Sequence, residues 1–117
     1  LRIVCDLLHT HTRLIAHPDA MADPWKRRKI EHIALLLQAS LAAHQKVALK
    51  MNAPRDRLDE ILELLPSLHA PTVSALSDEQ WVALETVVDR ESVRSLIPAL
   101  REHGAEGILE YELRKII

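Results

Sequence analysis

From residue 46 onward the apolar positions fall into two alternating rhythms. The stretch KVALKM at 46–51 alternates with period two and reads as a strand. Asn52, Ala53 and Pro54 then open a helix over 55–65, with Leu58, Ile61, Leu62 and Leu65 inward and Pro66 as its stop. PTVSAL at 71–76 reads as a second strand, Ser77 to Gln80 as a turn, and WVALETVV at 81–88 as a third strand, so the two strands predict a hairpin. Asp89 is expected to cap a further helix that carries Val93, Leu96, Ile97 and Leu100 on one stripe. Pro98 should bend that helix, and Gly104 should end it in a left-handed turn. GILEYEL at 107–113 is the fourth strand. Strand-helix-strand-strand-helix-strand is the split βαβ, or ferredoxin-like, order. Right-handed crossovers put both helices on one face of an antiparallel sheet.

Upstream the pattern changes. LRIVCDLL and TRLIAH, within 1–18, read as two extended segments, expected to be terminal strands of another domain. A long helix follows, with Asp23 as its cap and Pro24 at its first position. Ile30, Ile33, Ala34, Leu37 and Leu41 recur along it at three- and four-residue steps, and Leu35 and Leu36 widen the stripe. Lys26, Arg27, Arg28 and Lys29 oppose the helix dipole, so they read either as a solvated face or as a patch for an anionic partner. The expected organisation is 1–18 as terminal strands, 19–45 as a connecting helix and 46–117 as the ferredoxin-like domain, an α+β chain.

Helices on one face leave the other face of the sheet uncovered. By strand alternation Val47, Leu49 and Met51 turn to the helices, while Ala48, Lys50 and Asn52 face outward. Val73 and Ala75 likewise turn inward, and Thr72 and Ser74 outward. On the third strand Val82, Leu84 and Val88 turn inward, and Trp81, Ala83, Glu85 and Val87 outward. The fourth strand's facing stays open, because Ile108 shares its parity with Glu110 and Glu112. Such a small, polar face suits a small polar ligand or an opposing subunit.

Composition narrows the chemistry. The 117 residues carry 15 Lys+Arg against 17 Asp+Glu, a net charge of −2, without the basic excess of a nucleic-acid binder. Trp25, Trp81 and Tyr111 are the only aromatics, a poor supply of base-stacking platforms. Two glycines cannot make a dinucleotide fingerprint, and no phosphate-loop motif occurs. One cysteine, Cys5, fits a reducing, cytoplasmic compartment. No apolar run reaches the roughly 20 residues of a membrane span. A start at Leu1 without a signal segment leads us to expect a piece excised from a longer cytosolic chain.

Few residues suggest catalysis. His9 and His11 share one face of an extended segment and could grip a metal, but no third ligand is evident, and two half-exposed histidines on a strand separated from its domain are the favoured reading. Cys5 reads as a nucleophile only with a histidine held by a third group, and otherwise as a small buried side chain. Asp56, Asp59, Glu60 and Glu63 alternate with apolar positions and read as a solvated helix face. Thr72 and Ser74 beside Asn52 read either as ordinary strand hydroxyls or as ligand contacts.

Three separated motifs occur in order: NAPRDRLDE at 52–60, PTVS at 71–74 and GAEGIL at 104–109. With WVALETVV between them, they resemble the C-terminal regulatory domain of long-form ATP phosphoribosyltransferases over 46–117. TRLIAHP is similar to that family's last catalytic-domain strand, and DPWKRRKIEHIALLLQASL to the helix that leads into the regulatory domain. The resemblance implies a parent enzyme that joins ATP to phosphoribosyl pyrophosphate with magnesium, releases pyrophosphate and opens histidine biosynthesis. It implies allosteric feedback inhibition by histidine within a hexamer. By position, the histidine contacts fall at Asn52, Leu68, Ala70, Thr72, Val87 and Gly107. The chain departs from some relatives at Asn52, where they carry Asp, at Ala70, where they carry Ser, and at Ala75, where the family has proline. The family's phosphoribosyl-binding loop is absent from these residues, so neither catalysis nor a cofactor is expected of this piece alone. The alternative is a ferredoxin-like assembly module without a small-molecule ligand.

Overall fold

The computed structural model describes every residue except Leu1, Asp6, His9 and 67–69. The chain divides into two compact units, 1–35 and 36–117.

In the first unit, the described residues before Pro18 form neither helix nor strand. The segments expected as terminal strands of another domain have no strand partner among the described residues. A strand needs a neighbour to take its backbone hydrogen bonds, and no other described strand pairs with these residues. A short helix α1 (Pro18–Ala22) stands where no separate helix is expected. Proline supplies its first position, and the His17 ring nitrogen Nδ1 accepts from the Asp19 N–H at 3.2 Å. Helix α2 (Pro24–His44) then starts as the sequence predicts. The Asp23 carboxylate accepts from the N–H groups of Trp25 at 2.9 Å and Lys26 at 3.1 Å, satisfying two of the donors that a helix start leaves free. Arg27 reaches Glu31, one turn on, at 2.7 Å, and this hydrogen bond raises the guanidinium pKa above its usual value. Lys29 lies 5.8 Å from the Trp25 ring centre.

The second unit holds the sheet. Its elements are β1 (Lys46–Pro54), a 3₁₀ turn (Arg55–Arg57), α3 (Leu58–Leu64), β2 (Thr72–Ala75), β3 (Trp81–Asp89), a 3₁₀ turn (Arg90–Ser92), α4 (Val93–Glu102) and β4 (Glu106–Glu112). Four antiparallel strands lie in the order β2-β3-β1-β4, the ferredoxin-like arrangement. Val47, Leu49, Met51 and Ala53 are fully buried and pack with Val82, Leu84 and Val88 against Ile61 of α3, Leu65 just after it, and Val93, Leu96 and Leu100 of α4. Both helices thus cover one face, and the strand alternation of β1 and β3 is as the sequence predicts.

Three local expectations need correction. The Asp89 carboxylate caps nothing: it pairs with Lys46, directly opposite in the sheet, at 2.7 Å, and the turn that follows is 3₁₀. The Asp89 carbonyl accepts instead from the Ser92 hydroxyl at 2.7 Å. Val73 and Ala75 are exposed rather than buried, because β2 is a four-residue edge strand. The large apolar residues of α2 in this unit, Leu36, Leu37 and Leu41, also stay exposed. Ala39 and Ala43 are buried in their place, and the Ile116 N–H donates to the Ala39 carbonyl at 3.1 Å, a close approach that small side chains permit. Gly104, at φ +89°, ends α4 as expected.

Arg90 ties the strand ends together. Its N–H donates to the Gln45 carbonyl at 2.9 Å, its Nε to the His44 carbonyl at 3.2 Å, and its guanidinium meets Glu112 at 3.5 Å. One residue thereby joins the end of α2, the end of β3 and the edge strand β4.

Candidate ligand-binding face

Residues directly opposite in a sheet share a face, so the register fixes what the uncovered side carries. Thr72, Glu85, Lys50 and Leu109 form one row across the four strands. Ser74, Ala83, Asn52 and Glu106 form the next, and Val87, Ala48 and Tyr111 lie on the other side of the first. The fourth strand's facing is now settled. Leu109 and Tyr111 point outward, each half exposed, while Ile108 packs against the core. Glu110 and Glu112 share the inward side with Ile108 but remain exposed at the sheet edge.

A register shift in β4 puts Glu106 and Ile108 on opposite faces although they share a parity. Lys50 pairs with Leu109 but Asn52 pairs with Glu106, so one extra residue is inserted between them. Gly107 sits there at φ +58°, a backbone conformation that glycine adopts at little cost. A side chain at Gly107 would begin 3.9 Å from the Asn52 amide nitrogen, so the bulge brings these two expected contacts together.

The other expected residues are spread over the face. Asn52 and Thr72 are both exposed, but β3 runs between their strands, a lateral separation of roughly 10 Å. Val87, half-buried, is a diagonal neighbour of Thr72, whose direct partner is Glu85. Ala70, exposed, precedes β2 at the end nearer Val87. Leu68 lies outside the described residues. The set therefore forms two groups, Asn52 with Gly107 and Thr72 with Val87 and Ala70. Glu85, Lys50 and Ala83 lie between them. Strand alternation alone places these three on the face but cannot bring them beside the contacts, because facing gives no cross-strand register.

Two clefts of this unit lie away from these residues. One of about 800 Å³ is lined by Pro54, Arg55, Asp56, Glu79, Gln80 and Trp81, and another of about 380 Å³ by His44, Gln45, Asp89, Arg90 and Glu91. Neither includes an expected contact residue.

The catalytic candidates gain no support. Cys5 is exposed, not the buried apolar side chain that was the alternative. His9 lies outside the described residues, so its pairing with exposed His11 is not described. Among the described residues no group of three His, Cys, Asp or Glu could hold a metal. Those residues do not fit a magnesium site. No helix among them is long and apolar enough to cross a membrane.

The molecule is a ferredoxin-like α+β domain whose sheet offers one polar, uncovered face. Comparison with known families places it further: residues 43–115 match the model described as HisG, C-terminal domain, and the chain belongs to that family. It is 56% identical to an ATP phosphoribosyltransferase of Prosthecochloris aestuarii and 55% to one of Desulfosudis oleivorans. An ATP phosphoribosyltransferase of Nitratidesulfovibrio vulgaris is 56% identical. Each match covers all of this chain, which spans 40% of the length of each relative.

Proposed function

We propose that this chain is the feedback-regulatory part of an ATP phosphoribosyltransferase, the enzyme that opens histidine biosynthesis by joining ATP to phosphoribosyl pyrophosphate. Membership of the HisG C-terminal domain family supports this reading, as does the name shared by relatives that match the whole chain. Phosphoryl-group binding, magnesium and catalysis belong to the remainder of such an enzyme, in the cytoplasm, and the working assembly is a homo-oligomer, a hexamer in the family. The regulatory ligand is free histidine, bound on the uncovered sheet face.

One observation carries the ligand reading: Asn52, Gly107, Thr72 and Val87 share a face that the core does not need. Asn52 can accept from an ammonium or imidazolium and donate to a carboxylate, and the Thr72 hydroxyl can do either. Val87 supplies apolar contact to the imidazole ring. Inhibition follows by linkage: histidine must bind one arrangement of subunits more tightly than the other, by about 1–3 kcal/mol. Helix α2, which precedes β1, is the element through which that preference would reach the rest of the enzyme. Calorimetric titration of the chain with histidine tests the reading. Saturable heat that Thr72→Val abolishes is expected; no heat, or heat indifferent to that change, contradicts it.

Leu109 and Tyr111, half exposed on the same face, favour a second reading in which copies pack there with no small molecule. Sedimentation separates the two. Assembly unmoved by millimolar histidine supports packing alone, and assembly that responds to it supports the regulatory reading.

A further inference from the structure

Strands β1 and β3 carry two lysine–carboxylate pairs at directly opposed positions on the uncovered face, four residues apart along β1. Lys46 and Asp89 close theirs, at 2.7 Å. Lys50 and Glu85 do not: among the described residues neither side chain enters an ion pair or a side-chain hydrogen bond, and both are exposed. A positive and a negative group thus stand side by side, uncommitted, at the centre of the face.

Their place matters as much as their charge. Glu85 is directly opposite Thr72 on one side and Lys50 on the other, and Lys50 precedes Asn52 by one outward position. The path from Thr72 to Asn52 crosses β3 between Glu85 and Ala83 and reaches β1 beside Lys50, so a molecule bridging the two lies within reach of both charges. Ala83, between Ser74 and Asn52, contributes only a methyl group and leaves room above the strand. A free amino acid carries an ammonium and a carboxylate on neighbouring carbons, the complement of an adjacent carboxylate and ammonium on the protein. Hydrogen bonds between charged partners are the strong ones, and paired opposite charges reject ligands that lack either group.

We propose that Glu85 and Lys50 read the backbone of the amino-acid ligand, Glu85 accepting from its ammonium and Lys50 donating to its carboxylate. The inference rests on the amino-acid reading above and adds two specificity-determining residues to it. Asn52 and Thr72 are then left for the ligand's side chain.

Calorimetric titration of the intact chain with three probes tests this: histidine, histamine, which lacks the carboxylate, and imidazolepropionate, which lacks the ammonium. Glu85→Gln should weaken histidine and histamine roughly tenfold or more and leave imidazolepropionate unchanged. Lys50→Met should weaken histidine and imidazolepropionate by a similar factor and leave histamine unchanged, and Lys50→Arg should restore most of the loss. Glu110→Gln, on the inward side of β4, is the control. Unchanged circular dichroism keeps folding out of the comparison. If wild-type chain binds histidine and Thr72→Val abolishes it while both charge variants bind normally, this inference falls and the regulatory reading stands. A loss confined to Glu106→Gln, the carboxylate opposite Asn52, overturns the assignment to Glu85. No binding by the wild-type chain overturns both readings.

Discussion

The two faces of the sheet are built from alternate residues of the same strands, and they answer to different demands. On β1 the inward set of Val47, Leu49, Met51 and Ala53 is entirely withdrawn from water, whereas Lys50 and Asn52, one residue away, are exposed. The inward face is filled by apolar side chains and carries the stability. The outward face mixes hydroxyl, amide, carboxylate, ammonium and small apolar groups and adds little to it. Positions free of packing duty are where recognition can be written without unfolding the domain.

Substitutions of graded severity test that division. The largest effect is expected on the inward face: Leu84→Ala, at a fully buried site, should cost about 2–5 kcal/mol in urea denaturation. A loss below about 1 kcal/mol would mean that the inward layer is not the stabilising one. Next comes the bulge. Gly107→Ala should cost about 1–2 kcal/mol, from the left-handed backbone rather than from crowding, since the Asn52 amide lies 3.9 Å from the new atom. If that variant is as stable as the wild type, the bulge does not hold this conformation in solution. Lys46→Met should remove only about 0.2–1 kcal/mol, a loss that shrinks as salt is added. Smallest of all, Thr72→Val should move the unfolding midpoint by less than about 0.5 kcal/mol in stability while abolishing histidine binding. A large stability loss there would make Thr72 a packing residue.

Much of this division was legible in the chain. Period-two alternation assigned the facing of β1 and β3 correctly, because both strands are central and a one-residue slip would bury Lys50 and Glu85. The helices followed from Ile61, Leu96 and Leu100 at helical spacing, and Asp23 and Gly104 marked ends through local backbone chemistry. What failed was what depends on a neighbour across the sheet. Asp89 looks like a helix cap until Lys46 appears opposite it. Ile108 cannot be assigned a face from parity, because Glu110 and Glu112 share it and stay exposed only through their place at the sheet edge. Val73 and Ala75 follow the inward parity but sit where the covering layer ends.

The candidate site was legible as a face and not as a set of contacts. Thr72, Asn52 and Val87 were placed outward from parity alone, yet nothing in their spacing reveals that Glu85 and Lys50 stand between them. The adjacency of Asn52 and Gly107 likewise depends on the pairing of strands that lie far apart in sequence.

The most direct test is a titration of the isotopically labelled chain with histidine, followed by amide chemical shifts in nuclear magnetic resonance spectra. The account predicts saturable shifts grouped at Lys50, Asn52, Thr72, Glu85 and Gly107, with Ile61, Leu96 and Leu100 on the helix side unmoved. Shifts that centre on α3 and α4, or spectra that histidine leaves unchanged, would contradict it.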